Sequence, residues 1–145
     1  MDGSNNTVIA GNDGSTIIIG NLEKPFLEKE ISVEGFLNTK IKVQKGNKVF
    51  ISATGSIKVG QFAGYSGPDG KEGGLFNASL EEYNIVSGFK HAALMFKLDE
   101  SSNWKECGKN YKFTANKDGD IIFQINDNNQ NDNEGAYTVT IQLYH

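Results

Sequence analysis

Ile122-Phe-Gln-Ile-Asn-Asp-Asn-Asn-Gln-Asn-Asp-Asn-Glu-Gly-Ala-Tyr-Thr-Val-Thr-Ile-Gln-Leu143 decides how the rest of the chain is read. Its flanks alternate, with Ile121, Phe123 and Ile125 on one side and Tyr137, Val139, Ile141 and Leu143 on the other. That period of two is the pattern of half-buried strands. Between them, Asn126 to Glu134 is nine consecutive oxygen-bearing side chains, three of them carboxylates, with no apolar residue. The stretch therefore reads as strand, polar hairpin loop, strand, with Gly135 turning the chain sharply back into the second strand.

Nine such side chains offer more acceptor capacity than a turn needs. Hard divalent cations such as Ca²⁺ take roughly 6–8 oxygen ligands from carboxylates, amides and carbonyls, and Asp127, Asp132 and Asn133 suit that demand. The competing reading is a plain turn, because Asn and Asp cap their own backbone and tolerate left-handed conformations. An EF-hand is excluded. Asp127, Asn129, Asn131 and Asn133 mimic its spacing, but the sixth loop position is not Gly and the twelfth is not Glu.

Working outward, short alternating runs recur with turn signals between them. Glu30–Gly35, Thr39–Lys45, Lys48–Ala53, the second half of Ile85–Leu98 and Tyr111–Ala115 read as strands, and Ser56–Gly60 as a further strand or a strand end. A short helical turn is expected near Ser79–Tyr83. Leu22–Glu30, charged and broken by Pro25, reads as a linker or a sheet edge. The expected fold class is all-β, a β-sandwich of jelly-roll or galactose-binding-domain-like type. At 145 residues and 37% hydrophobic content the chain can bury a full core. Gln61–Ser79 is Gly-rich and irregular, the composition of a binding loop or a disordered one. It lacks the Gly-Lys-Ser/Thr ending of a phosphate cradle.

Residues 1–21 stand apart from the domain expected over residues 22–145. Asp2-Gly-Ser-Asn-Asn-Thr-Val-Ile-Ala-Gly-Asn12 is followed by a shortened copy of itself, Asp13-Gly-Ser-Thr-Ile-Ile-Ile-Gly-Asn21. Two β-branched runs joined through Asn12-Asp13-Gly14 predict an extra N-terminal β-hairpin. Three roles are open to it: addition to the main sheet, self-association into a homo-oligomer through exposed edges, or an amyloid-like segment built on the uncharged Thr16–Gly20 run.

Several function classes are disfavoured. A formal net charge of −4 argues against nucleic acid, whose binding depends on clustered Lys and Arg. The single cysteine, Cys107, permits no intrachain disulfide and has no nucleophile motif around it. His91, beside an apolar strand, and the terminal His145 read as structural. Glu81 and Glu82 are adjacent, not facing each other across a cleft as glycoside hydrolysis requires. The chain is expected not to be an enzyme. It shows neither a membrane span nor a secretory signal, so a soluble protein made in the cytoplasm is expected, exported without a leader if it acts outside.

Gly108–Ala115, Gly119–Asp127 and Asp132–Val139 resemble the C-terminal half of the PA-IL-like, calcium-dependent galactose-binding lectins. Gly46–Gly55, Gly67-Pro-Asp-Gly70, Leu75–Ala78 and Ala92–Leu98 fit the same family, so the resemblance spans roughly residues 28–143. Only the Asn-Asp…Asp-Asn-x-Gly loop is specific to it. The resemblance implies a lectin whose Ca²⁺ is bridged by two hydroxyls of a galactoside. Asp127 would be the carboxylate ligand, and Asp132 and Asn133 would fill two consecutive side-chain positions. A carbonyl at Asn129 or Gln130, and another in Val59–Phe62, would complete the set. Tyr65 is the candidate for stacking on the sugar, with Asp127, Asn128 and Asp132 reaching its hydroxyls. The chain departs from the family twice. Its loop is shorter, and the family's sugar-contacting His and Gln have no clear match after Gly70. The rival reading is a non-catalytic interaction protein, assembled through the N-terminal repeat, with a vestigial sugar site.

Overall fold

The computed structural model describes residues 6–20, 23–59, 64–73, 79–129 and 133–145. It contains eleven strands: β1 Thr7–Ala10, β2 Thr16–Ile19, β3 Leu27–Val33, β4 Leu37–Val43, β5 Lys48–Val59, β6 Tyr65–Ser66, β7 Leu94–Leu98, β8 Lys105–Glu106, β9 Asn110–Thr114, β10 Gly119–Ile125 and β11 Asn133–Tyr144. A single 3₁₀ turn, Glu81–Tyr83, is the only helical element among the described residues. Strands β3 to β11 form two antiparallel sheets, and β1 and β2 a small third one. One has the order β4-β10-β7-β8; in the other, β3-β11-β5 continues into β6 and β9, which pair with opposite ends of the long strand β5.

Alternation explains the layering. Val49, Ile51, Ala53 and Ile57 of β5 and Tyr137, Val139, Ile141 and Leu143 of β11 face Leu94, Phe96 and Leu98 of β7 and Ile121, Phe123 and Ile125 of β10 across one core. These side chains are nearly all closed to solvent. Each fully buried Leu, Ile or Phe contributes about 1.5–3 kcal/mol relative to exposure. The all-β sandwich expected from the sequence is what forms.

Two sequence expectations are corrected. Ile122–Leu143 is not a hairpin. β10 pairs with β4 and β7, whereas β11 pairs with β3 and β5. The polar loop therefore crosses from one sheet to the other at the end of the sandwich, a gap of about 10 Å. Alternation cannot separate the two cases, because two strands facing each other across a core carry the same pattern as two strands paired side by side. Gly135 is not at the turn either. It lies inside β11 at φ +102°, opposite Ile57. Gly55 of β5 lies at φ +101° opposite Tyr137. The two glycines flank the Ser56–Ala136 pair, and a Cβ on Gly135 would come within 2.6 Å of the Ser56 carbonyl oxygen. Glycine is needed there for a close approach between central strands rather than for a reversal.

Tyr137 pins the loops to the sheet. Its ring is fully buried, and its hydroxyl lies 2.8 Å from both the Gly67 and the Ala92 carbonyl oxygens, donating to one at a time. Burial pushes the phenol up to about 12. Tyr137→Phe is expected to cost about 1–2 kcal/mol, because it takes the donor from the Ala92 carbonyl, whereas the Gly67 carbonyl keeps those of the Gly70 N–H and the Ser66 hydroxyl. Urea denaturation checks this, and a loss below about 0.5 kcal/mol would mean that the Ala92 carbonyl is satisfied without the hydroxyl.

The N-terminal repeat forms the expected hairpin, with Val8 opposite Ile18 and Ile9 opposite Ile17. It does not join either main sheet as a strand; it is a two-stranded sheet of its own. Its tip docks on β9. The Asn12 N–H donates to the Lys112 carbonyl at 2.7 Å, and the Asn12 amide oxygen accepts from the Lys112 N–H at 2.8 Å.

Candidate functional site

The crossover loop leaves β10 through Asn126, which is completely buried. The sequence offered it as one polar residue among nine. In the fold it is an anchor. Its N–H donates to the Ala93 carbonyl at 3.0 Å, and its own carbonyl accepts from Ala92 N–H at 2.9 Å. Its amide oxygen accepts from Val86 N–H at 2.8 Å. Its amide NH₂ faces the carbonyls of Val86, Phe89 and Lys90 at 3.2, 3.3 and 3.0 Å. Ala92, held between Asn126 and Tyr137, takes φ +60°, a conformation a non-glycine residue adopts only when its surroundings enforce it.

Asp127 follows, 4% exposed. One carboxylate oxygen accepts the Asn129 N–H at 2.9 Å, an Asx-type turn. The other lies 3.8 Å from Nε2 of His91, itself 4% exposed. His91 Nδ1 is 2.8 Å from the Asn84 amide oxygen. The Asn84 NH₂ is occupied with Glu81 and the Phe89 carbonyl, so that oxygen is an acceptor and Nδ1 carries the proton. His91 is thus a spacer held between Asn84 and Asp127. Its role was not visible in the sequence, where 36 residues separate it from Asp127. The carboxyl of Glu81 is held below its ordinary range, first by the Ser87 hydroxyl and then by the Gly88 N–H.

Asn128 is exposed and latches the loop to the 3₁₀ turn. Its N–H donates to the Tyr83 carbonyl at 2.7 Å and its amide NH₂ to the Glu82 carbonyl at 3.0 Å. Tyr83, 46% exposed, therefore stands beside the loop; sequence reasoning did not single it out. A cleft of about 300 Å³ opens on the Asn84 side of His91, bordered by Lys71, Ser79, Glu81 and Lys90.

At the far end of the loop, Asn133 begins β11 opposite Val59. Its amide oxygen and nitrogen are both closed to solvent and have no hydrogen-bond partner among the described residues. Buried polar side-chain atoms are nearly always paired, so an amide with both ends unsatisfied calls for an explanation such as a bound ligand.

Of the expected site residues, Asp127, Asn128 and Asn129 lie together on the loop, and Asn133 closes its far end. Asn129 is exposed. Asp132 and the alternative carbonyl donor Gln130 fall outside the described residues, as do residues 60–62 of the Val59–Phe62 segment. Tyr65 sits on β6 opposite Lys58, which in turn faces Glu134 on β11. Partners in register share a face, so Tyr65 is on the sheet face opposite to the one Asn133 shares with the buried Val59. It is 68% exposed. Among the described residues no group of three or more His, Cys, Asp and Glu could hold a metal by those side chains alone. Any cation here would need amide and carbonyl oxygens as well. Cys107 is buried, and burial, with Asp69 nearby, pushes its thiol well above the ordinary range.

The architecture is a two-sheet antiparallel sandwich with its loop-built candidate site at one end. Among solved structures the chain is similar to "EclA N-terminal domain; PllA-like lectin", at a TM-score of 0.58 and 14% sequence identity, covering 83% of this chain and 98% of that one. At that identity the likeness establishes the fold. No family profile and no curated protein sequence matches the chain.

Proposed function

We propose that this protein is a non-catalytic, calcium-dependent carbohydrate-binding protein of galactoside type, with its site at the β10–β11 crossover. The observation that carries the reading is the amide of Asn133. Its unsatisfied oxygen calls for a cation or a donor, and its unsatisfied NH₂ calls for an acceptor oxygen. A cation together with a ligand rich in hydroxyls answers both needs at once, and a sugar is such a ligand.

The donor set suits Ca²⁺, a hard cation that takes carboxylate, amide and carbonyl oxygens in flexible geometry. Asp127 would supply the charge, Asn133 an amide oxygen, and Asn129 and Asp132 further oxygens. When bound, the ion would make weakly coordinating sugar hydroxyls into useful ligands. The chain's own contribution is positioning. Asn126 fixes the start of the loop, the Asn129 N–H orients the Asp127 carboxylate, and Asn128 ties the loop to the turn that carries Tyr83. The lectin-like fold supports the assignment at the level of architecture.

The test is a glycan array probed with Ca²⁺ and again with a chelator. Retention on terminal galactosides that chelation abolishes is the expected result. Retention that survives chelation would remove the metal from the reading. Calcium binding by calorimetry without any glycan retained would replace the reading with that of a vestigial sugar site.

A further inference from the structure

We propose that the β1–β2 hairpin is a homotypic interaction element, whose partner is the same hairpin of a second copy of this chain. The inference rests on how the molecule treats its sheet edges, independently of any sugar or metal. An exposed edge strand presents unpaired N–H and C=O groups, and proteins guard such edges with charge, shortness, bulges or a covering segment. Every outer strand of the two main sheets is guarded. β3 carries Glu28, Lys29 and Glu30; β4 carries Lys40 and Lys42; β6 and β8 are two residues each. β9 is capped by Asn12.

Apart from the four-residue length of its strands, the hairpin carries none of these protections. Thr7–Ala10 and Thr16–Ile19 contain no charge, proline or glycine, and among the described residues neither strand pairs with anything but the other. Its two faces are unequal. Ile17 and Ile19 are buried against the chain itself, while Val8 and Ile18, directly opposite each other, are 66% and 48% exposed. An apolar cross-strand pair flanked by open edges has the chemistry of a strand-addition surface.

The occupant follows from the repeat. Thr7-Val-Ile-Ala-Gly-Asn12 and Thr16-Ile-Ile-Ile-Gly-Asn21 are near-copies of one motif, and the intrachain ladder is already the antiparallel pairing of that motif with itself. A second molecule offers the same backbone register and the same β-branched side chains to either open edge. Because each four-residue edge is short, a single pairing is weak. Pairing at both edges makes the contact open-ended, so mass grows with concentration and is not limited to a closed dimer.

Sedimentation velocity of the full chain in chelator, across the micromolar range, tests this. Chelation removes any calcium- or glycan-linked association. Wild type is expected to gain mass with concentration. The double variant Val8→Lys/Ile18→Lys, which places charge on the outward face only, is expected to stay monomeric while the sandwich keeps its fold, read by near-ultraviolet circular dichroism. Wild type that remains monomeric throughout, or a double variant that assembles as wild type does, overturns the proposal. The lysine pair is preferred to deleting the hairpin, because deletion also uncovers the β9 edge and the surface beneath Ile17 and Ile19.

Discussion

Asn126→Ala is expected to destabilise the metal-free protein by about 3–4 kcal/mol, the largest loss for a polar side chain in this fold. The amide is fully buried and is the hub for the 86–93 loop. Truncation strands the Val86 N–H and the Val86 carbonyl, while the Phe89 and Lys90 carbonyls keep donors in the Asn84 amide and the Ala93 N–H. Each buried polar group left without a partner costs about 1–3 kcal/mol, and partial relaxation keeps the sum below simple addition. For a chain of this size the corresponding fall in melting midpoint is roughly 10 °C. Asn126→Asp is the sharper companion. It keeps an acceptor for Val86 N–H but directs a second oxygen at three carbonyls, so it is expected to cost at least as much as the alanine. Urea denaturation of both variants with a chelator present measures this. If either variant lost less than about 1 kcal/mol, the loop would be held by something other than this amide. The same change would release His91 and the 3₁₀ turn, so a secondary loss of ligand binding is expected even though Asn126 touches no ligand.

That anchor shows where sequence reading stops. Asn126 and Asp127 stand first in a run of nine polar residues, and nothing local separates the two buried ones from the exposed Asn128 and Asn129. Burial here is imposed by Val86–Ala93, which closes over the end of β10. Those contacts span up to 40 residues and leave no periodic trace. By contrast, the strands and the N-terminal hairpin were legible because alternation and the Asn12-Asp13-Gly14 turn are local signals. Even there, a period of two fixes which residues face inward but not which strands are neighbours. β10 and β11 were therefore expected to pair, yet they face each other across the core. Gly135 carried a true signal of unusual backbone with the wrong reason attached, since a turn and a close strand approach require the same residue. His91 read as structural beside an apolar strand, and what the sequence did not show is that it is buried 3.8 Å from a carboxylate far away in the chain. Tyr83 had no signal at all, because exposure beside Asn128 depends on a turn that only the tertiary fold places.

Asn133→Leu is expected to move stability in opposite directions with and without calcium. In the metal-free protein it removes two buried, unsatisfied polar atoms and replaces them with a nearly isosteric apolar side chain at a strand position. Leaving such atoms unpaired costs about 1–3 kcal/mol, so a gain of about 1–2 kcal/mol is expected in chelator. In wild type, calcium at about 100 times its Kd adds roughly 2.7 kcal/mol through binding to the native state alone. The leucine variant is expected to lose that increment, becoming the more stable protein without calcium and the less stable one with it. Asp127→Ala provides the contrasting pattern. It also loses the calcium increment, but it falls below wild type in chelator because the Asn129 N–H loses its carboxylate partner. Thermal melts of the three proteins, each with calcium and with chelator, separate the cases. Loss of stability by Asn133→Leu in chelator would mean that the amide is partnered within the chain. A calcium increment that survives the leucine would remove Asn133 from the metal site. A crossover of the leucine and wild-type curves would show that the strain at Asn133 is kept for the sake of a ligand, with the fold stable enough elsewhere to tolerate it.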